Sequence, residues 1–373
     1  MPISIQLYRK EHERGVQEFN ERLQAGGAEP DFVFFKESVP RWLPQTGDEE
    51  LFNEFFVALD GGVVRGGYAL KHQRFQLPDG SLRSLAYYHH PLSEGIVRKS
   101  LAAVGGLLLR DAMQRQPLLY CLGMGGYDRP LPRMLVGIGW SHCLVPFFFK
   151  VVKPFRFFRE MEALRRSAWR RRMMDLAAYT GIGFAAMKLH QAWAGAKLRF
   201  APDTTVTEVE VFSDWATPLW EKARHNYSLA AVRDAATLQR LYPASEKHLT
   251  RLRISRRGDD LGWAVVAQRR PDTKYGSMRV GSILDCWADP TDAVPVMRAA
   301  TDCLVQQGVD LIVSNQSHPL WGDALRTNGF MEAASNFIFA ASKPLAALLP
   351  PLHNSSSRIH FTRADGDGLP RNF

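Results

Sequence analysis

The chain has 373 residues, 46% of them hydrophobic and 23% charged, and a net charge of +9. That balance excludes a disordered polymer, and the length favours two ordinary cores over one. The positive excess points to an anionic partner: nucleic acid, phospholipid headgroups or a phosphorylated cofactor. In chain order, SIQLYRK alternates as a strand, and residues 11–23 read as a helix ended by Gly26 and Gly27. Two strands follow across an Asp60-Gly61-Gly62 turn, and a third, SLRSLAYYHH, follows Pro78-Asp79-Gly80. A helix over 100–115 places Leu101, Val104, Leu107, Leu108 and Met113 near the 3.6 period. The strand PLLYCLGM, a helical stretch over 131–139 and the strand CLVPFFFKVV complete the first half.

The second half repeats this order without detectable identity. TTVTEVEVF reads as a strand, residues 218–242 as helical, and HLTRLRISRR with GWAVVAQRR as a hairpin. The strand RVGSILDCWA, a helix over 293–307, the strand VDLIVSNQ, the short helix WGDALRTN and the strand AASNFIFAAS follow. The expected organisation is a first domain over 1–155, a basic helical connector over 156–200, a second domain over 201–350 and a tail over 351–373. The connector interleaves Arg165, Arg166, Arg170, Arg171 and Arg172 with Trp169, Met173 and Met174. It reads either as a helix packed across the junction, its apolar face buried and its Arg face solvated, or as a peripheral contact with an anionic membrane. Asp365-Gly366-Asp367-Gly368 lacks the other ligands of a calcium loop and reads as a turn.

Met1 to Lys10 does not read as a signal peptide, and no apolar run reaches the length of a bilayer span, so the expected setting is cytoplasmic. Cys121, Cys143, Cys286 and Cys303 lack CxxC spacing and read as reduced thiols; no metal-ligand spacing occurs. Asp285 interrupts an apolar strand and, if buried, needs a partner.

Residues 85–109, LAYYHHPLSEGIVRKSLAAVGGLLL, resemble the central motif of the GNAT superfamily of acyl-CoA N-acyltransferases. The match is in placement. Setting Leu107-Leu108 on the family's paired leucines puts Lys99, Ala102 and Val104 at its Arg/Gln, Gly and Gly/Ala positions; a one-residue shift gives Ser100, Ala103 and Gly105. The resemblance implies an α/β fold of two tandem GNAT-like domains with mixed sheets. It also implies acetyl-CoA or another acyl-CoA as co-substrate, no metal, and an amine acceptor. Tyr88, Arg98, Lys99, Ser100, Leu101, Ala102, Ala103, Val104, Gly105 and Gly106 are the expected acyl-CoA contacts. His89 or His90 is the candidate base, with Glu94 acting through a water and Tyr127 as acid. The ordinary alternatives are a core-facing histidine, a capping Glu94 and a turn-closing Tyr127. In the second half Asp289 and Asp292 stand where a phosphate would sit, so only the first half is expected to bind coenzyme A.

The segments PLSEG, LGMGGYDRPLPRML, VRDAATLQRLY and IHFTRADGDG are also similar to bacterial GNAT-like proteins tied to exopolysaccharide or cell-envelope loci. That resemblance implies an amino-sugar or envelope-precursor acceptor. Two alternatives stand beside it. One is a Fem-type transferase using aminoacyl-tRNA, which the charge fits but whose coiled-coil arm is missing. The other is an inactive scaffold at the membrane surface. Oligomeric state is not legible.

Overall fold

In the computed structural model, residues 3–161, 169, 189, 203–269, 275–352 and 358–366 are described. The strands of the first half are β1 (Ser4–Leu7), β2 (Phe52–Asp60), β3 (Val63–Gln76), β4 (Leu82–Ser93), β5 (Leu119–Gly123), β6 (Ser141–Leu144) and β7 (Phe147–Val151). Its helices are α1 (Glu13–Ala25), α2 (Ala103–Arg115), α3 (Pro130–Gly137) and α4 (Pro154–Glu160). The second half supplies β8 (Thr204–Val209), β9 (Leu229–Ala231), β10 (Leu249–Arg256), β11 (Asp259–Arg269), β12 (Val280–Ala288), β13 (Leu311–Asn315), β14 (Met331–Ala333), β15 (Ile338–Ala341) and β16 (Ile359–His360). With it come α5 (Ala216–Ala223), α6 (Ala235–Leu241), α7 (Ala293–Gln306), α8 (Pro319–Thr327) and α9 (Lys343–Ala346).

Local chemistry explains most of these elements. In α1, Val16, Phe19 and Leu23 recur at helical spacing and are the buried face. Between β2 and β3, Gly61 and Gly62 both take positive φ (56° and 85°), as a tight hairpin turn requires. Residues 218–242, expected to be one helical region, are instead α5, β9 and α6 in part. Pairing of β9 with β3 and β16 overrides the helical period there.

The two sheets share one plan. The first runs β1-β2-β3-β4-β5-β15-β6 and the second, from its other edge, β8-β10-β11-β12-β13-β7-β14. In each, the fourth and fifth strands are the parallel pair (β4 with β5, β12 with β13), and the other pairs on these paths are antiparallel. The sixth position in each sheet is filled by the other half: β15 enters the first sheet and β7 the second. CLVPFFFKVV is therefore two strands rather than the single one expected. Pro146 has no N–H to continue a ladder; its carbonyl accepts from Gln316 N (3.3 Å) and Asn315 Nδ2 (3.2 Å) at the crossing. AASNFIFAAS likewise divides, Ala333 ending β14 in one sheet and Ile338–Ala341 forming β15 in the other.

The largest buried apolar cluster surrounds the second sheet and takes in Trp42, Leu43 and Leu51 from the first half. Two further clusters cover opposite faces of the first sheet, with Val104 and Leu108 of α2 on one and Phe75, Tyr87 and Phe361 on the other. The tail is built into the structure. Ile359–His360 pairs with β9, and Phe361 and Thr362 are fully buried. The basic connector falls outside the described residues, apart from α4 at its start and residues 169 and 189. Among the described residues, no helix is long and apolar enough to cross a membrane.

Candidate functional site

Parallel pairing of β4 with β5 is brief: Ala86 opposes Leu119 and Tyr87 opposes Tyr120. β4 then continues to Ser93 while the strands diverge. Two side chains span the start of the divergence. The Tyr87 hydroxyl donates to Leu122 O (2.8 Å), and the Cys121 thiol donates to Tyr88 O (3.3 Å). A bulge between Ala69/His89 and Gly67/Leu92 adds to the distortion, and His90 within it has φ 53°, a strained value for a non-glycine residue.

α2 begins just beyond this opening. Arg98, Lys99, Ser100, Ala102, Ala103 and Gly106 are exposed, Leu101 and Gly105 partly so, and the helix N-terminus has no side-chain cap. A Cβ on Gly106 would meet nothing within 4 Å. Val104 turns into the core and offers only its backbone. The Tyr88 side chain is also buried, its hydroxyl without a partner among the described residues. Uncapped N–H groups, small side chains and two cations fit a pyrophosphate.

The candidate catalytic residues separate. His89 lies on β4 against Tyr87 (ring centroids 5.0 Å, stacked); burial, then the charges of His90 and Lys71, push its imidazole down to about 3. It is neutral at pH 7 and a weak base. His90 donates Nε2–H to Val33 O (2.8 Å). Glu94 is buried and held by Arg22 (3.2 Å) and Arg65 (3.0 Å), so it ties α1 and β3 to the end of β4. Tyr127 lies on the far side of β15. Its hydroxyl meets Nδ1 of His142 on β6 at 2.9 Å.

In the second half the equivalent opening follows Ser282/Val313, and residues 358–366 fill it. His360 Nε2–H donates to Cys286 O (3.0 Å) and Thr362 Oγ1 to Asp285 Oδ1 (3.0 Å) on β12. On the β13 side, Ser317 N donates to Phe361 O (3.2 Å) and Arg363 Nη1 to Asn315 Oδ1 (2.7 Å). The N-terminus of α7 is preceded by Asp289, which accepts from Thr291 N (3.0 Å), and Asp292, paired with Arg256 (3.5 Å).

Asp285 has the partners its burial demands. Arg233 Nε reaches its Oδ2 at 2.9 Å, Tyr242 OH donates to it at 2.6 Å, and Arg233 Nη2 holds Asp365 at 2.6 Å. Burial pushes the Asp285 carboxyl up. At Asp365 burial is outweighed by Arg233 and Lys71, which hold the carboxyl below its usual range. Lys71 is itself pushed down to about 8, chiefly by burial. Sequence reasoning missed Arg233, Lys71 and Asp365 because they are remote in the chain. The one signal was Asp285, a charge in an apolar strand.

Both sheets have the same strand order, with a parallel pair that opens after two or three residues and a helix at the opening, and the mixed α/β fold is that of the GNAT-like solved structures. No protein-family model matches the sequence, and no curated protein matches it. Similar solved structures include a GCN5-related N-acetyltransferase from Anabaena variabilis, at 13% identity and TM-score 0.52, covering 91% of this chain and 72% of that one. Another is a conserved protein of unknown function from Enterococcus faecalis, described as a probable N-acyltransferase (11%, TM-score 0.51, 94% and 75%). A third is Saccharomyces cerevisiae N-myristoyltransferase with bound myristoyl-CoA (9%, TM-score 0.50, 92% and 80%). At these identities the likeness is one of fold.

Proposed function

We propose that the chain is an acyl-CoA-dependent N-acyltransferase whose acyl-CoA site lies in the first half, with an amine on an amino sugar or envelope precursor as acceptor. The observation that carries this reading is the asymmetry of the two openings. The first has an uncapped, exposed helix N-terminus at its mouth. The second is packed with residues 358–366, and Asp289 and Asp292 stand at its helix. Carboxylates there repel a pyrophosphate, whereas Arg98 and Lys99 attract one. The proteins similar in fold include one holding myristoyl-CoA, which accords with this ligand class.

In this reading the backbone of residues 102–106 holds the pyrophosphate, with Arg98, Lys99 and Ser100 around it, and the unpaired edge of β4 from Tyr88 onward aligns the pantetheine arm. Bound acyl-CoA would supply the activated acyl group. His90, whose ring is held by Val33 O at the bulge of β4, takes the proton of the acceptor amine. His89 remains neutral, and Glu94 fixes the end of β4. Tyr127, bonded to His142 on the far side of β15, takes no part in this step.

The test is calorimetric titration of acetyl-CoA, with coenzyme A release measured over an amine panel. Wild-type protein should bind, and Arg98→Ala/Lys99→Ala should bind at least tenfold more weakly. Equal affinity in the two proteins sinks the placement. Salt-sensitive tRNA binding without acetyl-CoA binding would favour the aminoacyl-tRNA alternative.

A further inference from the structure

Helix α1 turns Val16, Phe19 and Leu23 into the core, and one polar side chain, Asn20, shares that buried face. A buried carboxamide needs a partner for each of its ends. Both partners belong to one residue of the segment that follows α1. Asn20 Nδ2 donates to Phe34 O (3.0 Å), and Phe34 N donates to Asn20 Oδ1 (2.8 Å). The side chain thus grips residue 34 from both sides of its backbone.

What is gripped there touches His90. The Phe34 ring packs against Gly67, where a Cβ would clash with it, beside the bulge of β3 and β4. It stacks on the His90 imidazole (ring centroids 6.1 Å, 24°). Val33 O accepts from His90 Nε2 at 2.8 Å. The Phe35 ring, itself stacked on Phe55 (4.1 Å), lies 4.9 Å from the imidazole. Three consecutive residues therefore cradle one ring. The φ of 53° at His90 is unfavourable for a residue with a Cβ, and such strain persists only where the surroundings over-determine it.

We infer that Asn20 is a positioning residue for His90. By holding Phe34 it sets the place of Val33 O, and so the direction of the imidazole at the first opening. The inference rests on the acyl-transfer reading, in which His90 takes the amine proton. Asn20 acts only through residues 33–35, and a base displaced by about 1 Å loses up to ~10²-fold in rate. A second clamp on the same segment is separate: Glu13 accepts from Ser38 N (3.0 Å) and Ser38 Oγ (2.8 Å), beyond the residues that touch the imidazole.

The test compares full-length wild type with Asn20→Leu and, as a control for general loosening, Glu13→Ala. The His90 Nε2–H signal is followed by ¹⁵N-edited NMR, assigned by its loss in His90→Ala, and coenzyme A release is measured per folded protein. Wild type should show a solvent-protected Nε2–H. In Asn20→Leu that signal should shift or broaden away, and kcat should fall roughly 10- to 100-fold. KM for acetyl-CoA should stay within about threefold, because the loss falls on the chemical step. Glu13→Ala should lower Tm and leave the His90 signal in place. An unmoved signal in Asn20→Leu, or equal losses of kcat in Asn20→Leu and Glu13→Ala, overturns the inference. If Asn20→Leu does not fold, Asn20→Asp, which keeps the bond from Phe34 N and loses the one to Phe34 O, decides by the same signal. Absence of coenzyme A release from wild type overturns the acyl-transfer reading instead, and the ring signal, which needs no turnover, tells the two failures apart.

Discussion

Replacing Arg233 with Met should be among the most destabilising single changes available to this protein. Arg233 is fully buried and faces two buried carboxylates, Asp285 at 2.9 Å and Asp365 at 2.6 Å. An exposed ion pair is worth about 0–1 kcal/mol, but removing one partner of a buried set leaves uncompensated charge at about 3–5 kcal/mol. The larger figure applies at Asp285, because Tyr242 and Thr362 bond it but supply no positive charge, whereas Asp365 keeps the charge of Lys71. The assay is urea unfolding followed by the fluorescence of Trp220, Trp263, Trp287 and Trp321, all buried around the second sheet. With a slope of about 2–3 kcal/mol/M, the midpoint should fall by roughly 1–2 M. The pH dependence carries a definite sign. Without Arg233 the Asp285 carboxyl rises further above its unfolded value, so the variant's folded state binds a proton there and its deficit is full above the raised value. The deficit should shrink as pH falls toward the ordinary aspartate range. In the wild type, Asp365 is held low, so its contribution is present at neutral pH and lost as pH falls through its folded value. Adding Asp285→Asn and Asp365→Asn to Arg233→Met should restore more than half of the loss. A loss below 1 kcal/mol, or a deficit that grows on acidification, refutes the reasoning.

His90→Ala should cut turnover by roughly 10²- to 10⁴-fold, the usual contribution of a positioned base, while His89→Ala should cost less than tenfold; steady-state coenzyme A release separates them. The reverse ranking would move the base to His89. Gly262→Ala should lower stability by about 1–3 kcal/mol, because the new Cβ would clash with Trp287 O, and thermal unfolding would register it. Gly106→Ala, with open space around its Cβ, should instead gain up to about 1 kcal/mol of helix propensity. Fragments 1–161 and 203–373, expressed alone, should show no cooperative unfolding, since each sheet then lacks its sixth strand, whereas co-expression should yield a complex. Independent folding of either fragment would mean the exchanged strands are dispensable.

Local pattern was enough for much of this fold. The 3.6 period of residues 100–115, the Asp60-Gly61-Gly62 turn and the alternation of β2, β3 and β4 each depend on neighbours a few residues away, and the structure has them in place. The glycine- and alanine-rich start of α2 is legible for the same reason, and Asp285 announces a partner without naming it. Which sheet a strand joins is another matter. β7 (FFFKV) and β15 (IFAA) are short apolar runs like those of β5 and β13, which stay at home, and nothing local tells an exchanged strand from a resident one. The tail, rich in Ser, Gly and Asp, reads as a turn at Asp365-Gly366-Asp367-Gly368; the burial of residues 359–362, 364 and 365 follows from Arg233, 132 residues away in the chain from Asp365, and from the β12/β13 opening. Periodicity reports which side of an element meets apolar surroundings. Only the tertiary structure decides whose surroundings those are, because pairing energies between distant segments leave no trace in either segment alone.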